Sequence, residues 1–292
     1  MKFSGIIPAL VTPLNADETI NTSVLSDLIG YLLSKGANGF YVGGATGEGI
    51  ALKTENRFTL TEAAIDAVGG KKPCIIQVAA ADFSDAIELA KHAEKSGAQA
   101  ISATAPIFFK YDENDVYNYY KALAGSVHIP LMIYYSPAAG FDFSAKFVAK
   151  MFEIDNITAI KWTNPNYYGM TQVKELTHGE MNIINGPDEM LLMGLNAGAD
   201  GGIGTTYNFQ FDIIKSIYDN FVAGNIAEAQ KSQMDANRII TQLHKYVTIP
   251  ATKVILSAMG FNVGEATFPM KRFTPEEKQC IINDIRNAGL KI

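Results

Sequence analysis

Residues 157–166 read ITAIKWTNPN, and how that stretch is read decides the fold. Ile157, Ile160 and Trp162, with Thr158 and Ala159 between them, make a run that suits a buried β-strand, and Lys161 sits inside it. Lysine is almost never fully buried unless it is paired or functional. In an open sheet the run would be an edge strand whose lysine guards against edge pairing, or a strand whose lysine lays its stem along a groove with the ammonium in water. A closed barrel has no edge. There, alternation along the strand sends Ile160 and Trp162 outward and turns Ala159, Lys161 and Thr163 into the lumen.

The rest of the chain chooses between these readings. Eight short apolar runs lie along it: GIIPALVTP (5–13), GFYVGGA (39–45), PCIIQVAA (73–80), AISATAP (100–106), PLMIYYSP (130–137), ITAIKWT (157–163), MNIING (181–186) and GGIGTT (201–206). They are rich in β-branched and apolar residues and nearly free of charge, as parallel strands buried on both faces are. Helix-like segments separate them. In DFSDAIELAKHAEKSG (82–97), Asp82 can cap, Ala86, Leu89, Ala90 and Ala93 form a stripe, and Gly97 ends the helix. The junctions KGANGF (35–40), SGAQAI (96–101) and AGADGGI (197–203) resemble one another, and their glycines are spaced at close to two and three βα units of about 30 residues. Eight alternating units predict a parallel (β/α)8 TIM barrel over residues 1–224. After residue 224 only helical patterns follow, at 225–246, 251–260 and 274–289, and these predict a C-terminal helical extension over 225–292.

Composition excludes several classes of function. The 292 residues are 48% hydrophobic and 18% charged, ordinary for a globular chain, and the net charge of −6 comes with no basic stripe, so no nucleic-acid partner is expected. No run approaches 18 unbroken apolar residues, and the N-terminal segment lacks the apolar core of a signal peptide, so neither a membrane span nor export is expected. The four histidines (His92, His128, His178, His244) have no ligand spacing, which predicts no metal site. Cys74 and Cys280 read as two buried thiols in a reducing compartment, which places the protein in the cytoplasm.

In a barrel, active sites are built at the C-terminal ends of the strands, where Lys161 lies. On the preceding strand, Tyr134 shares its face with Met132 and Ser136 and is the lumenal candidate, while Tyr135 shares the outer face with Leu131 and Ile133. A lumenal tyrosine is either a packed ring or, beside a buried lysine, a proton carrier. YVGGATGEG (41–49) has neither the Walker nor the dinucleotide glycine spacing. Its amides can form an anion nest with the Thr46 hydroxyl, or simply a tight turn. NGPDEM (185–190) sets Gly186, Asp188 and Glu189 at a strand end, as ligands for substrate hydroxyls or as caps of the next helix. GGIGTTYN (201–208) adds Thr205 and Thr206. Together these loops suit a small oxygen-rich anion.

The chain resembles the superfamily of pyruvate-dependent class I aldolases that contains N-acetylneuraminate lyase and dihydrodipicolinate synthase. The resemblance spans the whole length, through Gly-Gly-Ala-Thr-Gly-Glu (43–48), Tyr134 with Pro137, Lys161 and the helical C-terminus. It is nearer the sialic acid lyases, through Lys161-x-Thr163, Gly186-x-Asp188-Glu189 and GGIGTTYN, whereas the synthases carry an arginine shortly after the tyrosine that YYSPAAGF lacks. Two departures from the family pattern stand out. Ala45 stands where a carboxylate-binding hydroxyl is usual, and Phe108 and Phe109 stand where many members have tyrosines, one of which reaches a neighbouring subunit.

The resemblance implies a Schiff-base lyase that cleaves N-acetylneuraminate to pyruvate and N-acetylmannosamine. It implies Lys161 as the imine-forming residue and Tyr134 as the proton carrier. The 2-keto-acid carboxylate falls to residues 44–46, with Ala45 and Thr46. Thr163, Gly186, Asp188, Glu189 and Thr205 hold the polyhydroxylated half, Glu48 is structural, no cofactor takes part, and the assembly is a homotetramer. The rival readings are an aldolase for a shorter 2-keto-3-deoxy sugar acid, dihydrodipicolinate synthase, and, given Ala45, a non-catalytic 2-keto-acid sensor.

Overall fold

The computed structural model describes residues 2–292. Eight strands alternate with eight helices: β1 (Gly5–Pro8), α1 (Thr22–Ser34), β2 (Phe40–Val42), α2 (Thr54–Val68), β3 (Cys74–Gln77), α3 (Phe83–Ser96), β4 (Ala100–Ala103), α4 (Glu113–Ala124), β5 (Leu131–Tyr135), α5 (Ala145–Phe152), β6 (Ile157–Trp162), α6 (Tyr167–Leu176), β7 (Asn182–Asn185), α7 (Leu191–Asn196), β8 (Gly201–Gly204) and α8 (Phe211–Val222). Every strand pairing is parallel, in the order β1-β8-β7-β6-β5-β4-β3-β2. A bridge between Ala9 and Tyr41, with Leu10 N–H donating to Tyr41 O at 2.9 Å, brings β1 against β2 and closes the ring. This is the expected TIM barrel, and each of the eight apolar runs contains one strand.

The two faces of the strands separate as alternation requires. Ile7, Tyr41, Ile75, Met132, Ala159 and Ile203 belong to a lumenal cluster, whereas Tyr135, Ile160 and Trp162 pack in the larger core between strands and helices. The junction glycines Gly36, Gly97 and Gly198 all have φ between 92° and 97°, the left-handed geometry in which a helix ends and the chain turns into the next strand.

Three further helices follow: α9 (Ile226–Leu243), α10 (Thr248–Ala258) and α11 (Pro275–Asn287). α10 begins three residues before the run at 251–260, because Pro250 falls in its first turn, where no backbone donor is needed. Thr274 and Glu277 form the reciprocal cap of α11. Cys74 is buried, but Cys280 is exposed, which corrects the expectation of two buried thiols. The buried positions of α11 are Ile281 and Ile285, one turn apart, and Cys280 sits about 100° round the helix from Ile281. No helix among the described residues is long and apolar enough to cross a membrane.

Candidate active site

Lys161 and Tyr134 are register partners on neighbouring strands, one residue from the end of β6 and of β5. Lys161 is 6% exposed. Its ammonium lies 4.2 Å from the centre of the Tyr134 ring and 4.8 Å from that of Tyr41, and the two rings meet edge to face at 6.0 Å. No carboxylate among the described residues lies within 4 Å of it. Electron-rich ring faces attract a cation but take no proton from it. The two tyrosines differ in access. Tyr41 is sealed at the bottom of the site with its hydroxyl on Ser102 Oγ at 3.0 Å, and burial, with Tyr134 beside it, pushes its phenol well above the usual range. Tyr134 lines a cavity of about 1020 Å³ at the mouth of the barrel, beside Ala45, Gln77, Thr104, Phe108 and Phe109.

The loop after β2 forms one wall of that cavity. Ala45 is exposed and Thr46 is buried. The amide N–H groups of Ala45 and Thr46 donate to no acceptor among the described residues. The Thr46 hydroxyl meets the Thr205 hydroxyl at 2.7 Å, joining the loop after β2 to the loop after β8, across β1. Phe108, 93% exposed and at φ 82°, stands at the rim with Phe109.

Beyond Lys161, the ends of β6, β7 and β8 surround a second cavity, of about 300 Å³. Thr163, Gly186, Asp188, Glu189 and Thr205 all line it, so the structure brings together the five residues assigned to the polyhydroxylated half. Gly186 earns its place sterically, because any side chain there would collide with the Thr163 hydroxyl. That hydroxyl is buried and has no hydrogen-bond partner. Asp188 is buried and accepts hydrogen bonds from Thr206 N and Oγ1, both at 2.7 Å, through one carboxylate oxygen. Burial raises its pKa to about 6 against the pull of those two donors; the charge of Glu189 adds to the rise and that of Lys161 opposes it. Glu189 is exposed at the rim.

Several residues of this region escape a reading of strands alone. Tyr41 follows the same alternation that turns Lys161 into the lumen, so its inward face is legible in the strand pattern. Ile240, Leu243, His244 and Thr248, which wall the smaller cavity, come from α9, the residue that caps its C-terminus, and α10, and nothing in a helical pattern says which cavity a helix covers. Lys253 on α10 is buried and ion-paired with Glu48 at 2.6 Å; its signal was a lysine among apolar neighbours in ATKVIL, the same kind of signal as Lys161. Among the described residues no three His, Cys, Asp or Glu side chains group as metal ligands.

A barrel with an unpaired lysine at a strand end, an accessible tyrosine on the adjacent strand and a ring of hydroxyls and acids matches the layout of an enzyme that works on small keto acids. The model of the dihydrodipicolinate synthetase family matches residues 2–288. N-acetylneuraminate lyase of Rhizobium meliloti is 34% identical over 272 residues, covering 93% of this chain and 91% of that protein. 4-Hydroxy-tetrahydrodipicolinate synthase of Oceanobacillus iheyensis is 29% identical over 294 residues, covering 99% and 100%. The solved structure of Proteus mirabilis N-acetylneuraminate lyase superposes with a TM-score of 0.95 at 30% identity, covering all of both chains. The protein is a lyase of the pyruvate-dependent aldolase superfamily. Within it, the chain belongs to the dihydrodipicolinate synthetase family.

Proposed function

We propose that the protein cleaves N-acetylneuraminate to pyruvate and N-acetylmannosamine through a Schiff base on Lys161. The observation that carries the reading is the 300 Å³ cavity at the ends of β6, the strand of Lys161, and of β7 and β8, lined by Thr163, Asp188, Glu189 and Thr205, more hydrogen-bonding groups than a small apolar aldehyde can use. Leaving such groups unpaired costs about 1–3 kcal/mol each, so the site favours a polyol.

The chemistry follows from the residues. A lysine amine attacks a carbonyl only as the free base, and a desolvated site favours that form. Lys161 adds to the keto carbon of the open-chain sugar acid, and loss of water leaves a protonated imine. That imine draws the electron pair of the C3–C4 bond as it breaks, leaving an enamine on the pyruvate half, while the C4 hydroxyl gives up its proton and becomes the aldehyde. Tyr134, within the cavity and beside Lys161, carries that proton with the help of the substrate carboxylate, because a free tyrosine with a pKa of about 10 is a poor base at neutral pH. The carboxylate rests on the Ala45 and Thr46 amides and the Thr46 hydroxyl. Protonation of the enamine and hydrolysis of the imine release pyruvate and restore Lys161. The imine is itself the electron sink, so the sequence of steps calls on no metal or organic cofactor. We propose a cytoplasmic homotetramer as the working form.

The test is a panel of acids assayed for pyruvate release, with aspartate semialdehyde plus pyruvate assayed for dihydrodipicolinate. N-acetylneuraminate is expected to be cleaved and the semialdehyde to give no ring product. Efficient condensation of the semialdehyde with N-acetylneuraminate untouched sinks the lyase reading. Cleavage of only a shorter 2-keto-3-deoxy sugar acid keeps the mechanism and replaces the substrate. No turnover on any acid, with pyruvate still bound, favours the sensor.

A further inference from the structure

The C-terminal helices hold both sides of the site, by separate sets of contacts. On the side of the glycine-rich loop, Glu48 adopts a left-handed backbone at φ 58°, a conformation that a residue with a side chain keeps only where its surroundings enforce it. Its carboxylate is buried and engaged at both oxygens. Oε1 forms an ion pair with Lys253 Nζ of α10 at 2.6 Å, and Oε2 accepts from Thr267 N at 2.6 Å. Lys253 also donates to Glu265 O at 2.9 Å, so the ammonium is fixed on two sides. The loop is tied to the barrel at two further points, where the Thr12 hydroxyl donates to Gly47 O at 2.6 Å and the Thr46 hydroxyl meets that of Thr205 at 2.7 Å. On the side of the smaller cavity the holder is α9. Gln233 accepts from Leu192 N at 2.9 Å and donates to Asp188 O at 3.2 Å, and Asn237 donates to Glu189 O at 3.0 Å. These bonds fix the backbone on which the Asp188 and Glu189 side chains stand.

A buried ion pair is weak evidence for stability, since apolar residues of the same volume often serve as well. What it adds is direction: a carboxylate held at one oxygen by an ammonium and at the other by a backbone N–H fixes the orientation of the chain that carries it, which apolar packing does not. Glu48 lies two residues from Thr46, and Gln233 bonds the backbone of Asp188 itself.

We propose that the C-terminal helices act as a frame with two independent grips. Glu48 and Lys253 position the loop that receives the 2-keto-acid carboxylate, and Gln233 and Asn237 position the turn that receives the aldehyde half. This rests on the assignment of the two half-sites made under Proposed function. All four are positioning residues, since none needs to touch the reacting atoms.

The two grips make opposite forecasts for the two half-substrates. Condensation of pyruvate with N-acetylmannosamine gives a half-saturation concentration for each, and pyruvate binding is read independently by borohydride trapping on Lys161 and intact mass. Glu48→Gln and Lys253→Met are expected to raise the pyruvate value about tenfold and leave the aldehyde value within about twofold, since small misplacements remote from the chemistry are costly. Gln233→Leu and Asn237→Leu are expected to do the reverse. A half-saturation value does not depend on how much of the protein is folded, so loss of stability alone moves neither. Shifts in both values together, or in neither, overturn the proposal. If both loop variants unfold, the α9 variants decide, and an unchanged aldehyde value there overturns it. Trapping without condensation replaces the aldehyde assignment, and the pyruvate values of the loop variants then decide. A parent protein that gives no adduct defeats instead the Schiff-base reading beneath it.

Discussion

The barrel mouth and the seam between the glycine-rich loop and α10 each bury a lysine, at 6% and 2% exposure, and treat it differently. Lys253 meets Glu48 at 2.6 Å and the Glu265 carbonyl at 2.9 Å. Burial lowers its pKa while Glu48 holds it up. Lys161 has only the faces of Tyr134 and Tyr41. Burial alone therefore does not mark a reactive amine. What distinguishes the two is whether the fold supplies a partner. Lys253 is anchored as a charge, whereas Lys161 has no ionic partner, which is what the proposed Schiff-base role requires.

The comparison breaks most sharply at the lysines themselves. Lys161→Met is expected to abolish turnover and pyruvate–borohydride labelling while the fold stays as stable as the parent's, because no ionic partner is stranded. Peptide mapping of the adduct in the parent should find it at Lys161. A label elsewhere, or turnover that survives the substitution, removes Lys161 from the chemistry. Tyr134→Phe keeps the ring beside the ammonium and loses the hydroxyl. It should still form the adduct, with turnover down by about 10²–10⁴-fold, the usual share of a general acid–base group. Turnover within a few-fold of the parent makes Tyr134 a packed ring.

Lys253→Met gives the complementary result. Removing one partner of a buried pair costs about 3–5 kcal/mol, because Glu48 is left charged without its cation. Denaturant unfolding should show that loss, where Lys161→Met shows none. Equal stability of the two variants would erase the distinction between the sites.

The difference between the lysines also explains what was legible in the sequence. ITAIKWT lies in a strand, and in a strand a period of two assigns every side chain to a face, so Lys161, Thr163 and Tyr134 could be placed before the fold was known. The eight runs and the repeated glycine junctions carried the barrel for the same reason. ATKVIL lies in a helix that packs behind a distant loop, and a helical period gives a face without saying what that face meets. The contact between Glu48 and Thr267 spans 219 residues of chain, and neither residue signals the other. Gln233 and Asn237 read simply as polar positions on an amphipathic helix. Cys280, beside Ile281, shows the same limit in reverse: a helical apolar neighbourhood did not make it buried.

A smaller effect is expected at Asp188, where the buried charge has partners but no cation within ion-pairing distance. Its carboxyl titrates at about 6 in the fold against an ordinary 3.8. A raised carboxyl binds its proton more tightly in the folded chain. Its contribution to stability is therefore complete below about pH 4 and is lost as the pH rises through 6, a difference on the order of 3 kcal/mol. Asp188→Asn keeps an oxygen for Thr206 N–H and removes the charge. The variant should be more stable than the parent at pH 8, with the gap closing between pH 6 and pH 4, while cleavage of N-acetylneuraminate suffers more than pyruvate binding. A stability gap that does not change with pH would place the titration elsewhere.

The smallest effect separates two threonines of the same cavity. The Thr205 hydroxyl is satisfied by Thr46 at 2.7 Å, whereas that of Thr163 is buried without a partner. An unpaired buried hydroxyl costs folding free energy, and an isosteric apolar group in its place relieves that cost. Thr163→Val should therefore leave stability unchanged or raise it by about 1 kcal/mol, while Thr205→Val, which strands Thr46, should lower it by about 1 kcal/mol. Activity should follow another order. If the Thr163 hydroxyl waits for a substrate hydroxyl, Thr163→Val loses about tenfold in kcat/KM for N-acetylneuraminate, a loss worth about 1.4 kcal/mol, and leaves pyruvate trapping untouched. Thermal unfolding and steady-state kinetics on the two variants decide it. A Thr163→Val protein that is both more stable and fully active would mean that the hydroxyl serves neither fold nor substrate, and the polyol would then have to be held by Asp188 and Glu189 without it.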